Sequence, residues 1–331
     1  MSTQAATPQS AQQDTRLKFF PVSLFAVTMG LSGLTLAWRK VATLLGWPAM
    51  VSHALGVFTL GLFAVLLAAY LAKMARFPEA VRNEFNHPVM SAFVPTISIS
   101  MLLLAVCMLP LWPTFATWLW GLGAALHLIL TLQIVRAWMH REHFKVGHLN
   151  PAWFIPAVGN VVAPLAGVHL GQTELSWFFF AVGISFWVIL LVIVFNRILF
   201  HDPLPPQLLP TLFILIAPPA VGFLAYVGLN GGNIDAFAHI LYYLALFFTA
   251  LLVIEFPRFA RLPFFLSWWA YSFPSAAMTV ATFTMAEKVG GPFFHWLALA
   301  MLAALTLLIA WLAIKTVQAA ARGKICVAPK H

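Results

Sequence analysis

The sequence predicts an all-α polytopic membrane protein whose ten transmembrane helices pair into five hairpins. Three observations carry that reading. Of 331 residues, 62% are hydrophobic and only 8% are charged, too little polar surface to cover a soluble chain of this length. Apolar runs of about 20 residues recur, each long enough to cross a bilayer core of roughly 30 Å as a helix. The connections between the runs alternate between basic and nearly uncharged, as they do in a chain threaded back and forth through a membrane.

The elements follow in order. Residues 1–18 read as a polar, cytoplasmic N-terminal tail without the apolar core and cleavage site of a signal peptide. Span one, 21–38, opens on Pro21 and stops at Arg39-Lys40; span two, 50–72, runs to Lys73. Span three, 88–109, opens on Pro88, and span four, 113–136, opens on Pro113 and closes on Arg136. Proline suits a helix start, where its missing N–H has no intrahelical partner. Span five covers 152–171, and span six, 175–196, fits between Glu174 and Arg197. Span seven, 206–228, ends at a Gly/Asn-rich turn, and span eight, 236–255, lies between Asp235 and Glu255. Span nine, 262–286, begins after Arg261, and span ten, 292–314, opens on Pro292. The transmembrane domain is thus 19–316, and 317–331 is a C-terminal tail.

With the N-terminus placed inside, fifteen of the eighteen Lys and Arg fall in inside connections. The three on the other side are Arg39, Lys40 and Lys288. The bias puts both termini in the cytoplasm and the protein in a plasma membrane, of the bacterial inner-membrane kind. It also explains the net charge of +9 as topology. A nucleic-acid partner would need a folded basic module, which the charge distribution does not offer. Trp38, Trp47, Trp112, Trp138 and Trp177 fall near span ends, where indoles anchor helices at the lipid interface.

Proline divides the spans into two kinds. Odd spans start near 21, 88, 152, 206 and 262, steps of 67, 64, 54 and 56 residues, so each step covers one helix pair. Interior prolines occur only in odd spans: Pro95, Pro164, Pro218 with Pro219, and Pro274, with Gly30 and Gly33 standing in within span one. An interior proline frees a carbonyl, and lipid offers it no partner. The expectation is two concentric layers: five kinked odd helices inside and five straight even helices facing lipid. Gly30, Pro95, Pro164, Pro218 and Pro274 are the candidate kinks.

The span interiors hold essentially no charge, so a carboxylate relay for ion-coupled pumping is missing. A path without acids suits anions and passive conduction better than cations. Hydroxyls and amides on odd spans could line it: Ser23, Thr28, Ser32, Thr96, Ser98, Ser100, Asn160, Ser272, Ser275 and Thr279, with Thr28, Ser98, Asn160 and Ser272 foremost. The ordinary role of such a group is to cap a nearby backbone carbonyl. His127 and His169 lie in or near spans, and His140, His143 and His148 cluster after span four. None completes a metal or haem ligand pattern, so no metal and no cofactor is expected. Cys107 and Cys326 have no motif partner. No Walker loop, HExxH, GxGxxG or nucleophile elbow gives enzyme chemistry a carrier.

Three stretches then resemble a known family. "FPVSLFAVTMGLSGLTLAW" (20–38), "FNHPVMSAFVP" (85–95) and "WWAYSFP" (268–274) are similar, in this order, to stretches of the tellurite-resistance/dicarboxylate transporter family. That family includes bacterial homologues of the plant guard-cell slow anion channel. The resemblance implies ten helices as five hairpins around a central pore, anion conduction, and a homotrimer with one pore per subunit. It implies a pore gate at Phe273, with Phe25 as its neighbour. The chain departs from the pattern at Ala26 and Thr28, where many bacterial relatives carry glycine and proline. The expected activity is an anion channel or facilitative transporter for chloride- or nitrate-like ions. The alternatives are a proton-coupled exporter of dicarboxylate, sulfite or tellurium oxyanions and, from another class, a membrane haem or redox protein.

Overall fold

The computed structural model describes residues 16–140 and 144–327. Arg141, His143 and Lys330, used in the charge and histidine patterns, lie outside the described residues, as does most of the 1–18 segment. Ten helical segments follow: α1 (Val22–Leu45), α2 (Met50–Arg76), α3 (Met90–Met108), α4 (Pro113–His140), α5 (Pro151–Gly167), α6 (Thr173–Phe200), α7 (Leu209–Leu229), α8 (Ala236–Ile254), α9 (266–288) and α10 (Pro292–Ala321). Eight are long and apolar enough to cross a membrane; α5 and α9 fall short of that test. Two short helices, Pro78–Asn86 and Phe256–Ala260, sit in the α2–α3 and α8–α9 connections. Among the described residues there is no strand.

The odd helices form a closed ring. Helix α1 packs on α3, α3 on α5, α5 on α7, α7 on α9, and α9 returns to α1. Each even helix lies against the odd helix before it and the odd helix after it: α2 on α1 and α3, α4 on α3 and α5, α6 on α5 and α7, α8 on α7 and α9, α10 on α9 and α1. Burial follows position. The apolar windows of α1, α3 and α7 are 72%, 78% and 67% buried, against 22–44% for the five even helices. The even helices carry the exposed apolar side chains, such as Phe58, Trp118, Val192, Phe247 and Leu307. An apolar band of that extent is stable against hydrocarbon rather than water.

The prolines act differently from a mid-helix kink. Every inner segment contains a 3-10 stretch followed by an α-helix: Val22–Leu24, Met90–Phe93, Gly159–Val162, Leu209–Ile216 and Leu266–Tyr271. Pro95 is the N-cap of the α part of α3, Pro164 opens that of α5, and Pro218 and Pro274 lie in the first turns of those of α7 and α9. The N–H groups at the switch bond back into the 3-10 turn, as Val94 does to Ser91, Ala163 to Asn160, Ala217 to Ile214 and Ser272 to Trp269, and a proline there leaves a carbonyl of that turn without its donor. The prolines therefore mark the switch from 3-10 to α geometry. The even helices run as unbroken α-helices of 19 to 30 residues.

Gly30 serves a close helix contact. It lies inside the continuous α-helix Phe25–Leu45, where a Cβ would stand 2.2 Å from Ser272 Oγ and 2.6 Å from Ser272 Cβ. A Cβ on Gly33 would stand 2.5 Å from Ala276 Cβ. These glycines let α1 and α9 approach backbone to backbone, the usual use of small residues between membrane helices. At the start of α1, buried Lys73 of α2 donates to Glu84 Oε1 at 2.6 Å and to Phe20 O at 2.7 Å, and Tyr70 donates to Glu84 Oε2 at 3.0 Å. This network ties the α2–α3 connection to the turn that feeds α1. Helix α10 continues past residue 314 because its Ala-rich end is strongly helix-forming. It stops at Ala321, two residues before Gly323, whose φ of +64° no helix continues through.

The close α1–α9 contact predicts that Gly30→Ala lowers unfolding stability by about 1–3 kcal/mol, the usual cost of overpacking. Gly61 on α2 has open space where a Cβ would go. Gly61→Ala should therefore leave stability unchanged or raise it by up to about 1 kcal/mol through helix propensity. Thermal unfolding of both variants in detergent checks the contrast.

Candidate functional site

The ring encloses a cavity of about 80 Å³, room for a few waters. Its walls come only from the odd helices: Ser23, Ala26 and Met29 of α1; Phe93, Thr96 and Ile99 of α3; Phe154, Ile155, Val158, Gly159, Val161 and Val162 of α5; Ile214, Ala217, Pro218 and Val221 of α7; Leu266, Ser267, Trp269, Ala270, Phe273 and Pro274 of α9. No charged side chain is among them. The cavity sits where each inner segment changes from 3-10 to α. Along the walls the lining residues recur at steps of three and four, as in 23, 26, 29; 93, 96, 99; 155, 158, 162; 214, 218, 221; and 266, 270, 273, the face one side of a helix presents. Ser23, Phe93 and Ala270 lie in 3-10 turns and Ala26, Ile99 and Phe273 in the α parts that follow, so one face stays inward across the switch.

A second cavity, of about 390 Å³, lies at the C-terminal ends of the same helices. Leu36, Val106, Pro164, Leu224 and Val280 mark its inner wall. The two cavities are lined by the same five helices, the second nearer their C-terminal ends, and Phe273 is among the last α9 residues to line the first. It lines the first and not the second. Its Cδ2 lies 3.7 Å from where a Cβ on Gly33 would stand, and Gly33 falls between Met29 of the first cavity and Leu36 of the second. Phe273 is half-buried, and among the described residues no aromatic ring pairs with it.

The other expected residues separate from this site. Phe25, expected beside Phe273, faces outward: it is 0% exposed and packs edge-on against Phe63 at 5.8 Å and Tyr70 at 6.0 Å, both on α2. Ala26 takes the inward place, because one residue of helix turns the side chain by about 100°. Thr28, Ser98, Asn160 and Ser272 are fully buried and none lines the axial cavity. Each donates to the carbonyl three residues back: Thr28 to Phe25 at 2.7 Å, Ser98 to Pro95 at 2.9 Å, Asn160 to Ala157 at 2.7 Å, Ser272 to Trp269 at 2.6 Å. Three also bridge helices. Thr28 meets Ser100 of α3 at 2.7 Å, Ser98 meets His127 Nδ1 of α4 at 2.9 Å, and Asn160 donates to Thr131 of α4 at 3.1 Å. They hold the ring together instead of facing its axis.

Pro218 and Pro274 line the first cavity and Pro164 the second, while Pro95 stands just before lining residue Thr96. Thr96 and Ser267 bring hydroxyls to the wall but spend them on Phe93 O and Gln207 O, both at 2.6 Å. His127 is buried behind Gly159, where a Cβ would meet its Nε2 at 2.9 Å. His169 lines the second cavity. Among the described residues no three His, Cys, Asp or Glu are grouped to hold a metal. The apolar wall of Ala26, Met29, Phe93, Val158 and Ile214 escapes a search for polar groups. Its steps of three and four residues were the available signal.

Residues 19–317 match the protein family described as "SLAC1: Voltage-dependent anion channel". The chain is 31% identical over 296 residues to the S-type anion channel SLAH2 of Arabidopsis thaliana, covering 87% of this chain and 57% of that one. It is 30% identical over 305 residues to SLAH3 of the same plant, covering 90% and 48%. The tellurite resistance protein TehA homolog of Haemophilus influenzae is 29% identical over 263 residues, covering 78% and 79%. The chain thus spans about half the length of these plant relatives.

The two phenylalanines should differ in stability. Phe25→Ala opens a void between α1 and α2 and should cost about 3–5 kcal/mol. Phe273→Ala removes a ring that already borders empty space and should cost within about 1 kcal/mol. Denaturation of the two variants, read by tryptophan fluorescence, separates them.

Proposed function

The chain belongs to the SLAC1 family of voltage-dependent anion channels, and from that premise we propose that it is an anion channel or facilitative anion transporter of the plasma membrane, held shut by the ring of Phe273. The observation that supports the proposal is this one aromatic ring on the wall of the inner cavity, facing Gly33 of α1 between the residues that line the two cavities. A hydrophobic plug at a narrow point excludes ions by steric closure and dewetting. Moving it requires a change of rotamer, and the free space beside it lowers the packing cost of that change.

The sign of the ion follows from the walls. Among the described residues no Asp or Glu lines either cavity, so a cation meets no acidic wall. An anion crossing the narrow apolar level must shed water, and that cost climbs steeply with charge. Chloride- or nitrate-like monovalent ions therefore fit the constriction better than dicarboxylates, sulfite or tellurium oxyanions. Coupled export of those larger ions would also need a titratable relay at the constriction, and His127 stands behind Gly159 rather than on the wall. The homotrimer implied by the resemblance would add no wall to the pore, since one chain closes the ring. Both termini are assigned to the cytoplasm, with 19–316 as the conducting domain.

Under voltage clamp, the unaltered protein should pass little current, and Phe273→Ala should raise it by roughly tenfold or more, reversing with the anion gradient. A variant that folds, reaches the membrane and stays silent would show that another group closes the pore.

A further inference from the structure

The cavity at the C-terminal ends of the inner helices carries charge that the fold does not use up. We infer that it is a binding site for a small inorganic anion, centred on Lys288 and Arg39; its use as an antechamber to the pore rests on the anion-conducting reading above. At about 390 Å³ it is several times larger than the axial cavity and has room for an anion with part of its water shell.

Arg39, Lys40, Lys288 and His169 all line it. Arg39, Lys40 and Lys288 are the three basic residues that charge alternation assigns to the side opposite the termini. Topology disfavours cations there, so a local cause must account for them. Structural duties explain part of the set. Arg39 Nη1 donates to Val106 O at 2.8 Å and Nη2 to Cys107 O at 2.5 Å, capping the end of α3 as a cation at a helix C-terminus does. Lys40 pairs with Glu287 at 2.6 Å.

Two positive charges remain after those duties. Carbonyls are neutral, so Arg39 stays a full cation, and its Nε is buried without a partner. Among the described residues nothing engages the Lys288 ammonium. It reaches toward the turn after α7, where a Cβ on Gly232 would stand 3.2 Å from Nζ. Gly232 has φ +84°, a conformation that favours glycine, so no side chain of that residue crowds the ammonium. Two uncompensated cations in a concave, partly apolar mouth concentrate anions by focusing the field.

Two measurements test the site with chloride as the probe. In planar bilayers, Phe273→Ala is compared with Phe273→Ala/Lys288→Glu and Phe273→Ala/Lys288→Arg. Reversal should cut conductance roughly three- to tenfold in 20 mM KCl, mainly for chloride entering from this mouth, and by under about 1.5-fold in 1 M KCl, where screening is nearly complete. The arginine variant should keep the parent conductance. Equal conductance in all three at low salt, or a loss that persists at 1 M, overturns the site. The second measurement needs no open pore: the ³⁵Cl NMR line width of chloride with the detergent-solubilised protein. The excess broadening should fall at least twofold in Lys288→Glu and persist in Lys288→Arg; an unchanged width in Lys288→Glu overturns the site. If Phe273→Ala passes no current, the gate reading fails, and the line width alone decides the site.

Discussion

Lipid cannot hydrogen-bond a peptide group, and the architecture follows from that constraint. Five helices of this chain change from 3-10 to α geometry partway along their length. At such a switch the i→i+3 and i→i+4 bonding patterns cannot both be complete, and the backbone left over must meet protein or water. The five broken segments therefore stand together, each touching the next, with α9 closing on α1. The five unbroken helices have their backbone bonds satisfied internally and can face hydrocarbon with Phe58, Trp118 and Phe247. Broken inside and regular outside is one solution to one problem.

The same switch makes the axial cavity. Each 3-10 stretch and the α turn after it present one face to the cavity. Small or apolar residues occupy it, from Ser23 through Ala26 to Met29 and from Ser267 through Ala270 to Phe273. Phe273 sits one residue before Pro274 in the first α turn of α9, opposite the side-chain-free surface of Gly33. The missing Cβ makes room for Ala276, whose Cβ would stand 2.5 Å from one on Gly33, while the Phe273 ring lies at ordinary contact distance from the same surface. The glycines that bring α1 and α9 together and the Phe273 ring thus share one stretch of the α1–α9 contact.

Polar chemistry is divided by depth. Hydroxyls and amides within the ring cap carbonyls and join neighbouring helices, as Thr28 and Ser98 do. At one end a buried ion pair, Lys73 with Glu84, fixes the turn before α1 through Phe20 O. A buried pair of this kind is worth more for fixing geometry than for net stability. At the other end Arg39, Lys40 and Lys288 surround the wider cavity. Among the described residues the wall of the axial cavity carries no charged side chain, so charge is confined to the ends of the inner helices.

Much of this was legible in the chain. Hydropathy and the alternation of basic loops give the succession of apolar helices, because membrane thickness and charge asymmetry act on each segment separately. Proline placement separates the odd helices from the even ones, because a missing N–H has the same consequence wherever it occurs. Three things were decided only by the tertiary structure. The prolines open α turns instead of kinking long helices. Gly30 serves contact with Ser272. Thr28, Ser98, Asn160 and Ser272 face neighbouring helices while Ala26 and Met29 face the axis. Sequence periodicity fixes the angle of each residue about its own helix, but not the angle of that helix to its neighbours. A change from 3-10 to α shifts the phase partway along, so Phe25 and Phe273, both on inner helices, end on opposite sides of the wall. Only packing against α2 for the one, and against α1 for the other, settles which ring meets the axis.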